Sequence, residues 1–96
     1  MRVIYHRFAE EELVNAAKYY EQALPGLGSR FLDLVDESIK RIEQNYEWSE
    51  LVAEDVRRIS VSQFPYSMFF RVASGNLRIL AVKHHSRGTD YWKGRK

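Results

Sequence analysis

The chain contains no cysteine. That single absence removes a disulfide scaffold, a thiolate metal site and a cysteine nucleophile. Two Pro and five Gly in 96 residues are too few for a collagenous or low-complexity chain. No apolar run approaches the roughly 20 residues that a membrane-spanning helix needs. The opening Met-Arg-Val-Ile-Tyr-His is too short, and too soon followed by acids, for a signal peptide, so no membrane partner is expected and the expected location is cytoplasmic. A glycine-rich phosphate loop is missing, which leaves nucleotide hydrolysis without a cradle, and no serine sits in a nucleophile elbow. The only histidines are His6, His84 and His85. Neighbours on a strand point to opposite faces, so His84 and His85 do not share an ion. Neither a metal nor an organic cofactor is expected.

What is present suits a single folded domain spanning residues 1–96. With 45% hydrophobic residues and 13 aromatics, there is enough apolar area to build a core. A chain of this length still removes only roughly 60–65% of its surface from water. Its stability margin is therefore thin, and a partner that covers apolar surface would add to it. Charge is divided unevenly along the sequence. Residues 1–55 carry six Lys/Arg against twelve Asp/Glu, whereas residues 56–96 carry nine Lys/Arg against Asp90 alone. A basic half of this kind favours an acidic partner, either nucleic acid or an acidic protein segment.

Periodicity places the elements. Residues 2–6 alternate as a short strand, and the pattern turns helical at Ala9. Glu10, Glu11 and Glu12 fall in the first turn, where they offset the helix dipole, and read as a solvated face. Leu13, Ala16, Ala17, Tyr20 and Leu24 form an apolar stripe that Pro25-Gly26 ends. A second helix is expected from about Gly28 to Asn45, with Phe31, Leu34, Val35, Ser38 and Ile42 on its inner face. Residues 46–55 lack a period and read as a loop. Three strands follow, at 56–62, 66–73 and 77–84, with Ser74-Gly75-Asn76 as a hairpin turn. The expected fold is α+β in the order β-α-α-β-β-β, a helical hairpin packed on a mostly antiparallel four-stranded sheet.

The remaining chemistry is cationic and aromatic. RNA cleavage without a metal needs a base, cations for the pentacoordinate phosphorane and an acid for the leaving oxygen. Arg71, His84 or His85, Arg87 and Tyr91 are the residues able to supply those roles, whereas Tyr91-Trp92 also suits a cap on the open end of the core.

Read together, several segments resemble the RelE/ParE toxin family of type II toxin–antitoxin systems, most closely its ParE-like, plasmid-stabilisation branch. They are Ala9-Glu-Glu-Glu-Leu, Tyr19-Tyr-Glu and Pro25-Gly-Leu-Gly-Ser-Arg-Phe-Leu in the helices. Val56-Arg-Arg, Phe64-Pro-Tyr, Phe70-Arg-Val, Ile79-Leu-Ala-Val-Lys-His-His-Ser-Arg and Tyr91-Trp-Lys-Gly-Arg follow them. The resemblance implies the same β-α-α-β-β-β fold and a toxin neutralised by a cognate protein antitoxin. Leu13, Ala17, Tyr20, Leu24, Phe31, Arg58 and Arg71 are the expected antitoxin contacts, and operator DNA is reached only through the antitoxin. ParE-like members inhibit DNA gyrase by binding it, which assigns target contact to Arg87, Tyr91, Trp92 and Arg95. RelE-like members cleave mRNA on the ribosome, which would assign catalysis to Arg71, His84, Arg87 and Tyr91. The sequence lacks a lysine cluster around residues 56–62 and runs on past Tyr91, so the binding toxin is the first expectation and the ribosome-dependent endonuclease the alternative. A non-toxic corepressor that only binds an antitoxin is a third.

Overall fold

A computed structural model describes residues 1–88 and 90–96. Strand β1 (Arg2–Tyr5) leads into helix α1 (Arg7–Ala23), and a tight turn into helix α2 (Leu27–Asn45). A 3-10 turn at Tyr46–Trp48 precedes β2 (Glu50–Ala53), β3 (Val56–Ser60), β4 (Tyr66–Ala73) and β5 (Asn76–His84). The sheet therefore has five strands, in the order β1-β5-β4-β3-β2. All neighbours are antiparallel except β1, which runs parallel to β5 with Arg2 opposite Asn76. The α+β class and the helical hairpin match expectation. The strand count does not, because part of the stretch expected as a loop is the edge strand β2. No helix among the described residues is long and apolar enough to cross a membrane.

The helices form where the stripes predict them, and their ends have physical causes. His6 caps α1, its Nδ1 accepting from the Phe8 N–H at 3.1 Å. The turn between the helices is set by Gly26, whose φ of +90° is a conformation that L side chains rarely adopt. Glu21 of α1 then reaches forward and accepts from the N–H groups of Gly26 and Gly28, at 2.9 and 3.0 Å. A carboxylate there satisfies donors that the first turn of α2 leaves free and meets the positive end of its dipole. Gly28 also permits the close crossing of the two helices, since a Cβ there would sit 2.5 Å from the Ala17 carbonyl oxygen.

Each sheet face has its own core. Against the helices lie Met68, Phe70, Leu77, Ile79 and Val82, meeting Ala9 and Ala16 of α1 and Phe31, Leu34, Val35, Ile39 and Ile42 of α2. At one end of this layer Tyr20, Phe31, Phe64 and Tyr66 pack edge to face, with centroids 4.7 to 5.4 Å apart for the Tyr20–Phe64, Phe31–Phe64 and Phe31–Tyr66 pairs and the tilted Tyr20–Phe31 pair. The opposite face carries a smaller cluster of Val56, Phe69, Leu80, Ala81 and Trp92. Trp92 belongs to the segment after β5, and its ring lies 4.9 Å from Phe69. The tail thus folds back over the face that the helices leave open. β5 carries an extra residue beneath it: Phe69 pairs with Ala81 and Phe70 with Ile79, so Leu80 is bulged.

Candidate functional site

β5 is longer than β1, and past Ile79 its outer edge has no strand beside it. Bare N–H and C=O groups on such an edge would need other partners. Side chains supply them. The Glu12 carboxylate, from α1, accepts from the Val82 N–H at 3.0 Å, and Arg95 donates to the Leu80 carbonyl at 2.9 Å. The same two side chains bind each other through both guanidinium nitrogens, at 3.1 and 3.3 Å, while Arg87 adds a further bond to Glu12 at 3.1 Å. Glu12 and Arg95 are both about nine-tenths buried, at 12% side-chain exposure. Tyr91 completes the cluster, its ring lying 3.8 Å beneath the Arg87 guanidinium and 5.0 Å from that of Arg95. Its hydroxyl is buried and, among the described residues, has no partner at hydrogen-bonding geometry. Burial, and then the Glu12 carboxylate, push the Tyr91 pKa up to about 12 against the opposing pull of the two arginines.

Beyond this clamp, the helix-free face of the sheet is cationic at both ends and apolar between. Toward the β4 N-terminus, Arg58, Ser60, Ser67, Phe69, Lys83 and His85 line a cavity of about 210 Å³. Ser67 Oγ lies 2.9 Å from His85 Nε2. Lys83 is buried there, and among the described residues its ammonium has no ion-pair partner. At the other end Arg71 and Arg78 stand directly opposite each other on β4 and β5. Arg71 donates from Nε to Asp55 at 2.8 Å.

The residues singled out from the sequence do not converge on one place. Arg71 and His84 lie at opposite ends of the β4–β5 ladder, Arg71 opposite Arg78 and His84 opposite Tyr66. Five residues of strand put them on the order of 17 Å apart along the sheet. Their faces differ as well, because His84 packs edge to face on Tyr66 of the helix-covered side, and its Nδ1 accepts from Ser86. Arg87, Tyr91 and Arg95 do come together, but around Glu12. Trp92 is a core residue of the helix-free face. Of the expected antitoxin contacts, Phe31 has no exposed surface. Leu13, Ala17 and Tyr20 are partly buried against the core, Leu24 is exposed, and Arg58 is paired with Glu50.

Sequence reasoning missed Glu12, which was expected on a solvated face. Its position carried a signal, since it falls three residues after Ala9 and four before Ala16, the two buried residues of α1. Lys83 and Arg78 gave no such signal, because their neighbours across the sheet are fixed by strand register. Among the described residues, no three His, Asp or Glu side chains are grouped as a metal site would require.

The sequence matches the family described as ParE toxin of type II toxin-antitoxin system, parDE, over residues 3–88. The chain belongs to the ParE toxin family. Its fold is that of a solved structure from the chromosomal ParDE TA system of P. aeruginosa, with a TM-score of 0.73 at 20% sequence identity. The superposition covers 88% of this chain and 95% of that one. No curated protein matches the sequence. The family match ends at Gly88, so the clamp residues Tyr91 and Arg95 and the buried Trp92 lie beyond it.

Proposed function

We propose that this ParE-family chain is a toxin held inactive by a cognate protein antitoxin and that, once free, it inhibits DNA gyrase by direct binding in the cytoplasm. Family membership supports the toxin and antitoxin half of the reading. The gyrase half is carried by the engagement of Arg87 and Tyr91. RNA cleavage needs such groups free to move protons and meet phosphate. Here Arg87 is bound to Glu12, and the Tyr91 hydroxyl is buried with its pKa raised. A side chain held this way stiffens a binding surface instead.

The deciding experiment is a gyrase supercoiling assay with ATP, using toxin released from its antitoxin and shown by circular dichroism to be folded. Loss of supercoiling with accumulation of gyrase-linked DNA breaks is the expected result. Full supercoiling in the presence of folded toxin would overturn the reading.

One observation favours a second reading, ribosome-dependent mRNA cleavage: the meeting of Arg58, Ser67, Lys83 and His85 around a single small cavity. An imidazole beside a buried cation can transfer a proton next to phosphate. If that reading is correct, His85→Ala and Lys83→Met abolish growth arrest while Arg71→Ala leaves it intact.

A further inference from the structure

The Arg71–Arg78 end of the sheet has an electrostatic problem that the chain itself solves only in part. The two arginines are directly paired across β4 and β5, and like charges at such a position destabilise a strand pair. Asp55 engages one nitrogen of Arg71. Among the described residues Arg78, half-buried, has no acidic partner. Both arginines open onto a cavity of about 630 Å³ whose wall is completed by Glu54, Gly94, Arg95 and Lys96. A second cavity of about 290 Å³ adjoins it, sharing Glu54, Arg71, Gly94 and Arg95, and its floor is apolar: Ala53, Val56, Leu80 and Trp92. A cationic cup therefore sits next to an apolar one, against the tail segment.

We infer that this double cavity is a binding site for an acidic peptide segment of a partner protein, one carboxylate bridging Arg71 and Arg78 while the neighbouring apolar side chain enters the cup floored by Leu80 and Trp92. A planar carboxylate matches the guanidinium fork, and bridging it between the two arginines removes their mutual repulsion. The chemistry selects peptide over nucleic acid. Glu54 lines both cavities and Asp55 stands beside Arg71, so successive phosphates would meet carboxylates on the rim, whereas a single carboxylate flanked by an apolar side chain does not. Under the toxin–antitoxin reading a segment of the antitoxin is the natural occupant, and the inference rests on that reading only for the occupant's origin.

The test uses the full chain carrying Trp48→Phe, which removes an exposed indole and leaves Trp92 as the fluorescent reporter at the site. The probes are a capped hexapeptide with a single Asp flanked by Leu (the Leu/Asp peptide), its Leu/Asn and Ala/Asp counterparts, and inorganic phosphate. The expected result is saturable change in Trp92 emission with the Leu/Asp peptide. The Leu/Asn peptide should bind at least tenfold more weakly, the loss of one charge-assisted bond. Arg78→Gln, checked for native circular dichroism, should weaken the Leu/Asp peptide by a similar factor and leave the Leu/Asn peptide unchanged. Equal binding of the Asp and Asn peptides would overturn the site, as would an Arg78→Gln chain that binds normally. Equal binding of the Ala/Asp and Leu/Asp peptides, with phosphate competing as well as either, would make it a general oxyanion site and overturn the peptide assignment. The titration needs neither gyrase nor a host cell, so its failure and a failure of the toxin reading are separate events.

Discussion

The two faces of the sheet are built from the same strands by different means. On the covered face, two amphipathic helices bring stripes of Ala, Leu, Val, Ile and Phe against alternate strand residues, and the result is a sealed apolar layer. On the other face a single returning segment lays one indole over Phe69 and Leu80 and is held by the Glu12–Arg95 clamp. The first face is held mainly by apolar burial. The second depends on a small apolar patch plus a buried carboxylate with two arginines, and cations remain exposed around it. A ParE-family domain of this design has a rigid side that makes it fold and a charged side free for partners.

Substitutions on each face can break that contrast. The largest effect is expected from Phe31→Ala, which empties a sealed site against Tyr20, Phe64 and Tyr66 and should cost about 4 kcal/mol in urea denaturation. Trp92→Ala removes a larger side chain, yet the tail can move and water can enter. It should cost only about 2–3 kcal/mol, and limited proteolysis should cut the segment after Arg87 first. A cost equal to that of Phe31→Ala would make the faces equivalent.

Glu12→Ala leaves the Val82 N–H without its acceptor and strands Arg95. A loss of about 2 kcal/mol is expected, with faster amide exchange at Val82 as its signature. Raising the pH sharpens the comparison from another side, because Tyr91 on the clamp and Tyr5 on the helix side both have pKa values pushed up to about 12. The unfolded chain ionises these phenols from about pH 10 while the folded chain keeps them protonated. Their stabilisation is therefore complete below pH 10 and lost as the pH rises toward 12. Tm should fall over that interval, and Tyr91→Phe should remove part of the slope. The smallest effect belongs to Glu50→Gln, which breaks an exposed pair with Arg58 and should cost under about 1 kcal/mol.

These expectations also show what the sequence made legible. Phe31, Leu34, Val35, Ser38 and Ile42 are buried as their spacing demands, and Met68 and Phe70 face the helices while Phe69 faces away. Such features follow from local period. β2 escaped notice because Glu50-Leu-Val-Ala is four residues long, lies at the sheet edge and leaves Leu51 exposed, so it carries no alternation to detect. Arg71 and His84 did not join Arg87 and Tyr91 for a different reason. Which strand residues meet depends on register, and a bulge at Leu80 that no composition signal marks shifts every pairing beyond it.

The topology has a consequence for how the protein is made. β5 lies between β1 and β4, so the strand at the start of the chain finds its neighbour only after residue 76 has been synthesised. The two helices leave the ribosome much earlier, with Phe31, Val35 and Ile42 still facing water. During that interval the nascent chain is an adhesive helical hairpin, and only when β5 and the residues up to Arg95 emerge can Glu12 find its partners. A domain assembled in this order stays incomplete until β5 and the segment up to Arg95 are made, and that segment turns a sticky intermediate into a finished surface.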